Sequence, residues 1–378
     1  MYPSIRNRKT LCISAMLLGL LASTGSAYSS ETTFKYDPDK LTFKESKRIF
    51  KDSGDVDNVF EEKKKVLIAG YRVGFMINGG ATALDKGEDT QISNFSGQDR
   101  VTYYIDHPDT LLSATATINY DDKLMQEIVE EGYADLQERM KAVGREVVLM
   151  DSLKDKEGYK TLDLAQPDAK GQYPSSNDNG GLADTNYVAK TPKGVPMWFF
   201  AANPLAQGGA LSTAADALSM KNLGAWKQLG VDSDAAQIDL TFVVRPAYVY
   251  GVRKKFMRAA SVGVDPFLVV IPQPIMIQTN QKTWVGIVPK AAGDLRLDEK
   301  VPNAFKEAKD YPFNYGYDYA TFKMGETVKD TTVFDQSFEK STSVDITLDR
   351  AKFKAAVLNA LKVTNATLAL WAKENPAD

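Results

Sequence analysis

The sequence predicts an α/β or α+β protein with a mixed sheet flanked by helices, a β-meander in the second half and a C-terminal helix. Apolar residues alternate with period two in both halves of the chain, as in strands, and two long apolar stripes at 121–143 and 349–373 have helical spacing. The composition, 43% hydrophobic and 25% charged, is that of a globular protein, and 378 residues can bury a large core.

The first strand is predicted at residues 65–77, where the apolar residues alternate. Regular alternation assigns one face to Leu67, Ala69, Tyr71, Val73, Phe75 and Ile77. Gly70 and Gly74 share the opposite face. Because glycine has no side chain, this face leaves room for another element to approach closely.

Two β-rich runs, 101–105 and 111–118, precede the clearest helix in the sequence. Asp121 or Asp122 can accept the free amides at the start of this helix, and Gly144 ends it. The apolar stripe of the helix comprises Leu124, Met125, Ile128, Val129, Tyr133, Leu136, Met140 and Val143.

Beyond this helix the pattern continues with strands, another helix and then the meander. The predicted strands are 146–150, 195–201, 237–252, 264–271, 275–279 and 283–288. A helix is predicted at 212–229, and the last helix begins at Asp349 and ends at Asn375-Pro376. The order of strand, helix and strand around 111–150 is typical of an α/β unit.

Shifts in composition divide the chain into seven predicted segments. They are a signal peptide (1–27), a loosely structured polar lead-in (28–62), a first α/β part (63–162), a long loop (163–194), a second α/β part (195–289), an aromatic-rich segment (290–348) and the C-terminal helix (349–378). The loop, dense in glycine, serine, asparagine and aspartate, is the best candidate for an internal boundary.

The first thirty residues have the three parts of a secretory signal peptide. A basic start with Arg6 is followed by an apolar run at 11–22 and a small-residue stretch that ends at Ala27. An apolar helix of this length spans about 18 Å, which is too short for a bilayer. We therefore expect cleavage near Ala27, and a periplasmic or secreted mature chain without a transmembrane span.

The rare residues exclude several classes of chemistry. Cys12 lies in the expected signal peptide, so the mature chain has no thiol for disulfides, nucleophilic catalysis or metal binding. His107 is the single histidine, which excludes zinc sites built from several imidazoles of one chain. The formal net charge of −3, without a basic block, argues against nucleic-acid binding. No cofactor is predicted.

The candidate binding residues are aromatic and recur at every second position: Tyr311, Phe313, Tyr315, Tyr317 and Tyr319. In an extended chain they share one face, which, if exposed, could stack on sugar rings or contact a protein. If buried, the same residues are the inner face of a strand. The loop at 172–186 is a second candidate surface.

Other polar clusters favour ordinary surface structure. His107, between Asp106 and Pro108, is typical of an exposed turn. The acidic groups Asp52/Asp55/Asp57 and Asp178/Asn179/Asp184 could supply oxygen ligands to calcium, but they lack the spacing of an EF-hand loop. Solvated loops are the simpler interpretation, and no metal site is predicted.

Four segments together resemble a group of bacterial envelope proteins: KKKVLIAGYRVGF, the helix LMQEIVEEGYADLQERMKAVG with the strand EVVLM, AQIDLTFVVRPAYVYG and the last helix. The group includes the curli secretion component, the lipoprotein activators of peptidoglycan synthases and the N-terminal domain of the Tol-system propeller protein. The resemblance is one of pattern order over about 64–289 and the last helix. It implies a helix-flanked sheet and a role in binding or assembly. Several members are lipoproteins, whereas this chain has no cysteine after the apolar run.

Two functions remain open from the sequence. The first is a non-catalytic envelope or secreted protein that binds a protein partner or a cell-surface polysaccharide. The second is a carbohydrate hydrolase that uses two carboxylates, since such chemistry needs neither histidine nor thiol. Two carboxyl groups about 5 to 10 Å apart in a cleft lined by aromatic residues would favour the hydrolase, and a flat or loop-covered surface without such a pair would favour binding.

Overall fold

The structure is a computed structural model that describes residues 34–52, 59–85, 90–96, 99–105, 110–166, 183–198, 222–253, 260–277, 284–289, 311–330 and 338–375. The helices are α1 (Phe43–Ile49), α2 (Asp122–Ala142), α3 (Glu157–Lys160), α4 (Leu223–Ser233) and α5 (Arg350–Glu374), with a 3₁₀ helix at Met150–Leu153. The strands are β1 (Phe50–Asp52), β2 (Lys65–Asp85), β3 (Thr90–Ser96), β4 (Asp99–Ile105), β5 (Thr110–Asn119), β6 (Glu146–Val148), β7 (Ala183–Lys190), β8 (Ala236–Arg253), β9 (Ala260–Ile277), β10 (Trp284–Pro289), β11 (Asn314–Gly316), β12 (Ala320–Asp330) and β13 (Phe338–Leu348).

A mixed sheet forms the centre of the fold, which confirms the predicted fold class. Its main path runs β1-β10-β9-β8-β2-β5-β13-β12, with β6 and β7 also on β2 and β11 on β9. The β2–β8 and β5–β13 pairs are parallel, whereas β8, β9 and β10 form the predicted antiparallel meander. Because β2 and β8 are neighbours, the two predicted α/β parts contribute to one sheet. The β3–β4 hairpin is separate.

Helices α2 and α5 cover one face of the sheet, as their apolar stripes predict. Asp121 caps α2 and Asp349 caps α5, each by accepting a backbone amide of the first turn. Gly132 brings α2 close to its neighbours, because a Cβ at this position would lie 2.4 Å from the Tyr71 hydroxyl. Asn365 of α5 donates a hydrogen bond of 2.8 Å to the Gly132 carbonyl, which joins the two helices.

A β-bulge in β2 makes the predicted assignment of its faces wrong. The register against β8 shifts between Ile68 and Gly70, so the alternation slips by one residue. Tyr71 therefore lies in the same core cluster as Ile68, whereas Ala69 packs in a second cluster. The predicted close approach of another element to Gly70 is confirmed. A Cβ there would lie 1.9 Å from Oδ1 of Asp239.

The polar lead-in was predicted to be loosely structured, and this prediction is wrong for its described residues, 34–52 and 59–62. Helix α1 begins with a capping box between Thr42 and Glu45, and β1 pairs with β10. Ile49 and Phe60 are fully buried in the main core. These elements were not predicted, because the segment has low overall hydrophobicity and only a few of its apolar residues pack in the core.

Other predicted boundaries also need correction. Within the predicted loop at 163–194, Ala183–Lys190 is a strand paired with β2. The predicted strand at 195–201 is absent over 195–198, where Trp198 makes an isolated bridge to Leu164. The predicted helix at 212–229 is described only from α4 onward, since 199–221 lie outside the described residues. The strands predicted at 264–271 and 275–279 are one strand, β9.

In the described part of the chain, none of the helices combines the length and the apolar character needed to cross a membrane.

Candidate functional site

The aromatic row is largely part of the core, and it is not one strand. Only Asn314–Gly316 is extended, and Gly316 has a positive φ of 68° that turns the chain. Tyr311, Phe313 and Tyr319 are buried. The interpretation as an exposed contact row is thus wrong for these three residues, because neighbouring elements cover their rings. Tyr315 is partly buried and Tyr317 is 42% exposed.

Three tyrosines of this segment donate hydrogen bonds to three other elements. Tyr311 donates a hydrogen bond of 3.0 Å to the Val270 carbonyl of β9, and Tyr319 donates to the Pro246 carbonyl of β8. Tyr315 donates to Oδ1 of Asn359 on α5 at 3.1 Å. Burial raises the pKa of Tyr311, Tyr315 and Tyr319 above the ordinary value. These hydroxyls therefore act as neutral donors that hold the segment in place.

We expect Tyr315→Ser to destabilise the protein more than Tyr317→Ser. The first change removes the hydrogen bond to Asn359 and the edge contact with Phe34, whose ring centroid is 5.8 Å away, at a cost of about 2 kcal/mol. Tyr317 is 42% exposed and contacts Phe267, so its loss costs less than about 1 kcal/mol. Urea denaturation of both variants measures the difference, and equal losses would contradict the assignment of Tyr315 to the core.

Several predicted positions lie outside the described residues. They include His107, residues 172–182 of the candidate loop surface, and Asp55, Asp57, Asp178 and Asn179 of the acidic clusters. The remainder of that loop surface, residues 183–186, belongs to β7. Within the described ranges, no group of three or more acidic, histidine or cysteine side chains has the arrangement of a metal site.

A surface groove of about 270 Å³ contains two carboxylates and one aromatic ring. It lies between α2 and the 3₁₀ helix and includes Glu130, Tyr133 and Asp151. Glu130 accepts a hydrogen bond of 3.0 Å from the Lys193 amide, and Asp151 forms an ion pair of 2.9 Å with Lys154. Burial, reinforced by these two carboxylates, raises the pKa of Tyr133 to about 12. Both carboxylates thus hold local structure around the groove.

The Arg72–Asp239 ion pair lies in the interior, beneath Trp198. Each side chain of the pair is 2% exposed. Trp198 stacks over the guanidinium at 5.2 Å and donates a hydrogen bond of 2.8 Å to the Ala69 carbonyl. Burial raises the pKa of Asp239, and the attraction of Arg72 opposes this effect. The pair fixes β2 against β8 at the bulge.

Strand β12 is one end of the sheet path, with the three-residue strand β1 at the other. All 11 of its residues pair with β13, and the register has no shift. Among the described strands, none pairs with its other edge. Natural edge strands are usually protected by proline, bulges, short length or charged side chains. Strand β12 has no proline, no bulge and is not short, but it carries the exposed charged residues Lys323 and Glu326. Over the described ranges, the backbone groups on its outer edge have no strand partner.

On the core-side face of β12, Phe322 is partly buried against the main core, whereas Met324 is exposed. Phe322 and Met324 are opposite Ile346 and Val344, which are buried. Met324 is nevertheless 73% exposed, more than the other large hydrophobic side chains of the described residues that lie at the surface. An apolar side chain of this size is normally stabilised by burial. Within the part of the chain that the structure describes, the edge thus combines backbone groups that pair with no strand and an exposed apolar side chain.

The opposite face of the same strands is polar and exposed. Its rows, read across β12, β13 and β5, are Lys323–Asp345–Thr117, Thr321–Thr347–Asn119 and Gly325–Ser343–Thr115. Sequence reasoning missed this site because β12 and β13 have weak apolar alternation. The signal that was present is the succession of threonine, serine and valine at 341–347, since such residues favour strands.

Comparisons of the chain with models of protein families, with curated proteins and with solved structures found no match.

Proposed function

We propose that this chain is an exported, non-catalytic binding protein of the cell envelope that recruits a partner protein by adding a strand of the partner to β12. The observation that carries the proposal is the 11-residue edge, continuous in register and unpaired on its outer side among the described strands. Addition of a strand to an open sheet edge is a common mode of peptide recognition. Export and the envelope role follow from the signal-like N-terminus and the resemblance in pattern order.

The chemistry of β12 specifies the partner segment. On the core side, the partner must present an apolar side chain beside Met324, because this contact removes the exposed methionine from water. On the polar side, an acidic or hydroxylated residue fits beside Lys323, which already lies opposite Asp345. The expected partner segment is therefore an extended chain with alternating apolar and polar residues.

Met324→Lys tests the edge with little effect on the fold. A lysine on the core-side face of an edge strand opposes pairing, because a docked strand would bury its charge, whereas Lys323 lies on the exposed polar face. We expect the tagged full-length variant to recover at least about tenfold less partner than the wild type from envelope extract, which corresponds to about 1.4 kcal/mol. Thermal unfolding should change little, since Met324 is 73% exposed.

Val231→Lys is the matched control. Val231 is 60% exposed on α4, so the same charge is added to an exposed apolar position away from the edge. This variant should recover the partner as the wild type does. The proposal fails if both lysine variants lose the partner equally, or if Met324→Lys retains it.

A further inference from the structure

One face of β8 carries polar side chains in the interior of the protein. The register of β8 against β9 has no shift from Gln237 to Arg245, so alternate residues of this stretch share a face. Gln237, Asp239, Thr241 and Arg245 lie on it, and Gln273 of β9 is opposite Thr241. All five are buried. Buried polar groups normally have hydrogen-bond partners, so this face requires a physical explanation.

Arg245 differs from the other two arginines that are buried in the described part of the chain. Arg72 pairs with Asp239, and Arg145 donates to four backbone carbonyls. The guanidinium of Arg245 lies over the ring of Tyr187, with Cζ 5.7 Å from the ring centroid. Its Nε is buried and has no hydrogen-bond acceptor among the described residues.

The amides on this face are also unsatisfied. Within the described residues, neither Nε2 nor Oε1 of Gln237 has a hydrogen-bond partner, and Nε2 of Gln273 has none. Within the described residues, Nε of Arg245 and these amide groups are buried without a hydrogen-bond partner, and each such group is unfavourable. These groups are compatible with a folded protein if a polar ligand satisfies them.

We propose that Arg245 binds an oxyanion, the phosphate or carboxylate group of a polar ligand that lies along this face of β8. The planar guanidinium can donate two parallel hydrogen bonds to either group, and the Tyr187 ring beneath it restricts its orientation. Gln273 lies about 13 Å further along the strands and offers a second donor. The site does not involve the β12 edge.

Thermal unfolding of the full chain with inorganic phosphate or with acetate tests the proposal, with sodium chloride at equal ionic strength as the reference. One of the two anions, at about ten times its dissociation constant, should raise the wild-type Tm by about 2–4 °C. The anion that raises the Tm shows whether the bound group is a phosphate or a carboxylate. Arg245→Met should abolish the rise, and without the anion its Tm should equal or exceed that of the wild type, because a buried charge is removed.

Lys156→Met is the matched control, because it removes one positive charge from an exposed side chain. It should keep the wild-type response to the anion, whereas Arg245→Lys should weaken the response because lysine lacks the planar fork. The proposal is overturned if neither anion raises the wild-type Tm beyond sodium chloride. It is also overturned if Arg245→Met lowers the Tm by several degrees or fails to fold, since Arg245 would then be structural.

Discussion

Asp239→Ala should lower the free energy of unfolding by about 3–5 kcal/mol, because it leaves the buried guanidinium of Arg72 without its carboxylate. Both side chains are 2% exposed, so water cannot replace the lost partner. Trp198 lies 5.2 Å from the guanidinium, and its cation–π contact is weaker than the lost ion pair. Urea denaturation, monitored by the fluorescence of the buried tryptophans, measures the loss.

The double variant Arg72→Met/Asp239→Ala is the control for this prediction. Removing both charges eliminates the orphaned cation, so the double variant should be more stable than Asp239→Ala alone although it lacks more atoms. A double variant that is less stable than Asp239→Ala would show that the cost arises from lost packing against Gly70 and its neighbours. That result would contradict the electrostatic explanation.

Arg145→Met should also cost about 3 kcal/mol or more, because one guanidinium satisfies carbonyls from two distant segments. Arg145 donates to the carbonyls of Phe60 (3.0 Å) and Lys63 in the segment before β2, and to those of Ala372 (2.7 Å) and Asn375 at the end of α5. Each buried carbonyl left without a donor costs about 1–3 kcal/mol. Burial lowers the pKa of Arg145, but a guanidinium stays protonated at neutral pH.

Two comparisons test whether the geometry of the guanidinium matters. Arg145→Lys keeps the charge, but an ammonium has three donors from a single point and cannot span both segments, so it should be intermediate. Lys141→Met removes an exposed charge nearby and should change stability by less than about 0.5 kcal/mol. If Arg145→Met were as stable as Lys141→Met, these hydrogen bonds would contribute nothing to the fold.

Local patterns predicted the elements that have strong apolar periodicity. Helices α2 and α5 begin at the predicted positions, at Asp121 or Asp122 and at Asp349, because capping and the apolar stripe depend on neighbouring residues only. The length of β8 was predicted within one residue at each end for the same reason. Its burial on both faces is typical of a central strand.

Features that depend on distant residues could not be predicted. The bulge after Ile68 reverses the faces of β2, and nothing in an apolar run distinguishes a bulge from continued alternation. The aromatic row has period two, yet Tyr311 and Tyr315 bind β9 and α5, because the chain turns at residues 312–313 between them. Arg145 resembles any surface arginine in the sequence, since its partners lie 82 to 230 residues away.

The candidate site was missed because an edge is a property of the assembled sheet. Strand β12 becomes an edge only after β13 has paired with β5 in parallel. Its exposed methionine, Met324, has an ordinary local sequence context. The aromatic residues attracted attention instead, because large rings signal contact area whether they are buried or exposed.

Site-specific crosslinking in living cells tests the proposed function most directly. A photoreactive amino acid at position 324, on the open edge, is compared with the same residue at position 231, on the exposed surface of α4. Strand addition at β12 predicts a discrete adduct with another polypeptide from position 324 and none from position 231. An adduct only with a second copy of the chain, the same adducts from both positions, or none from position 324 would contradict it.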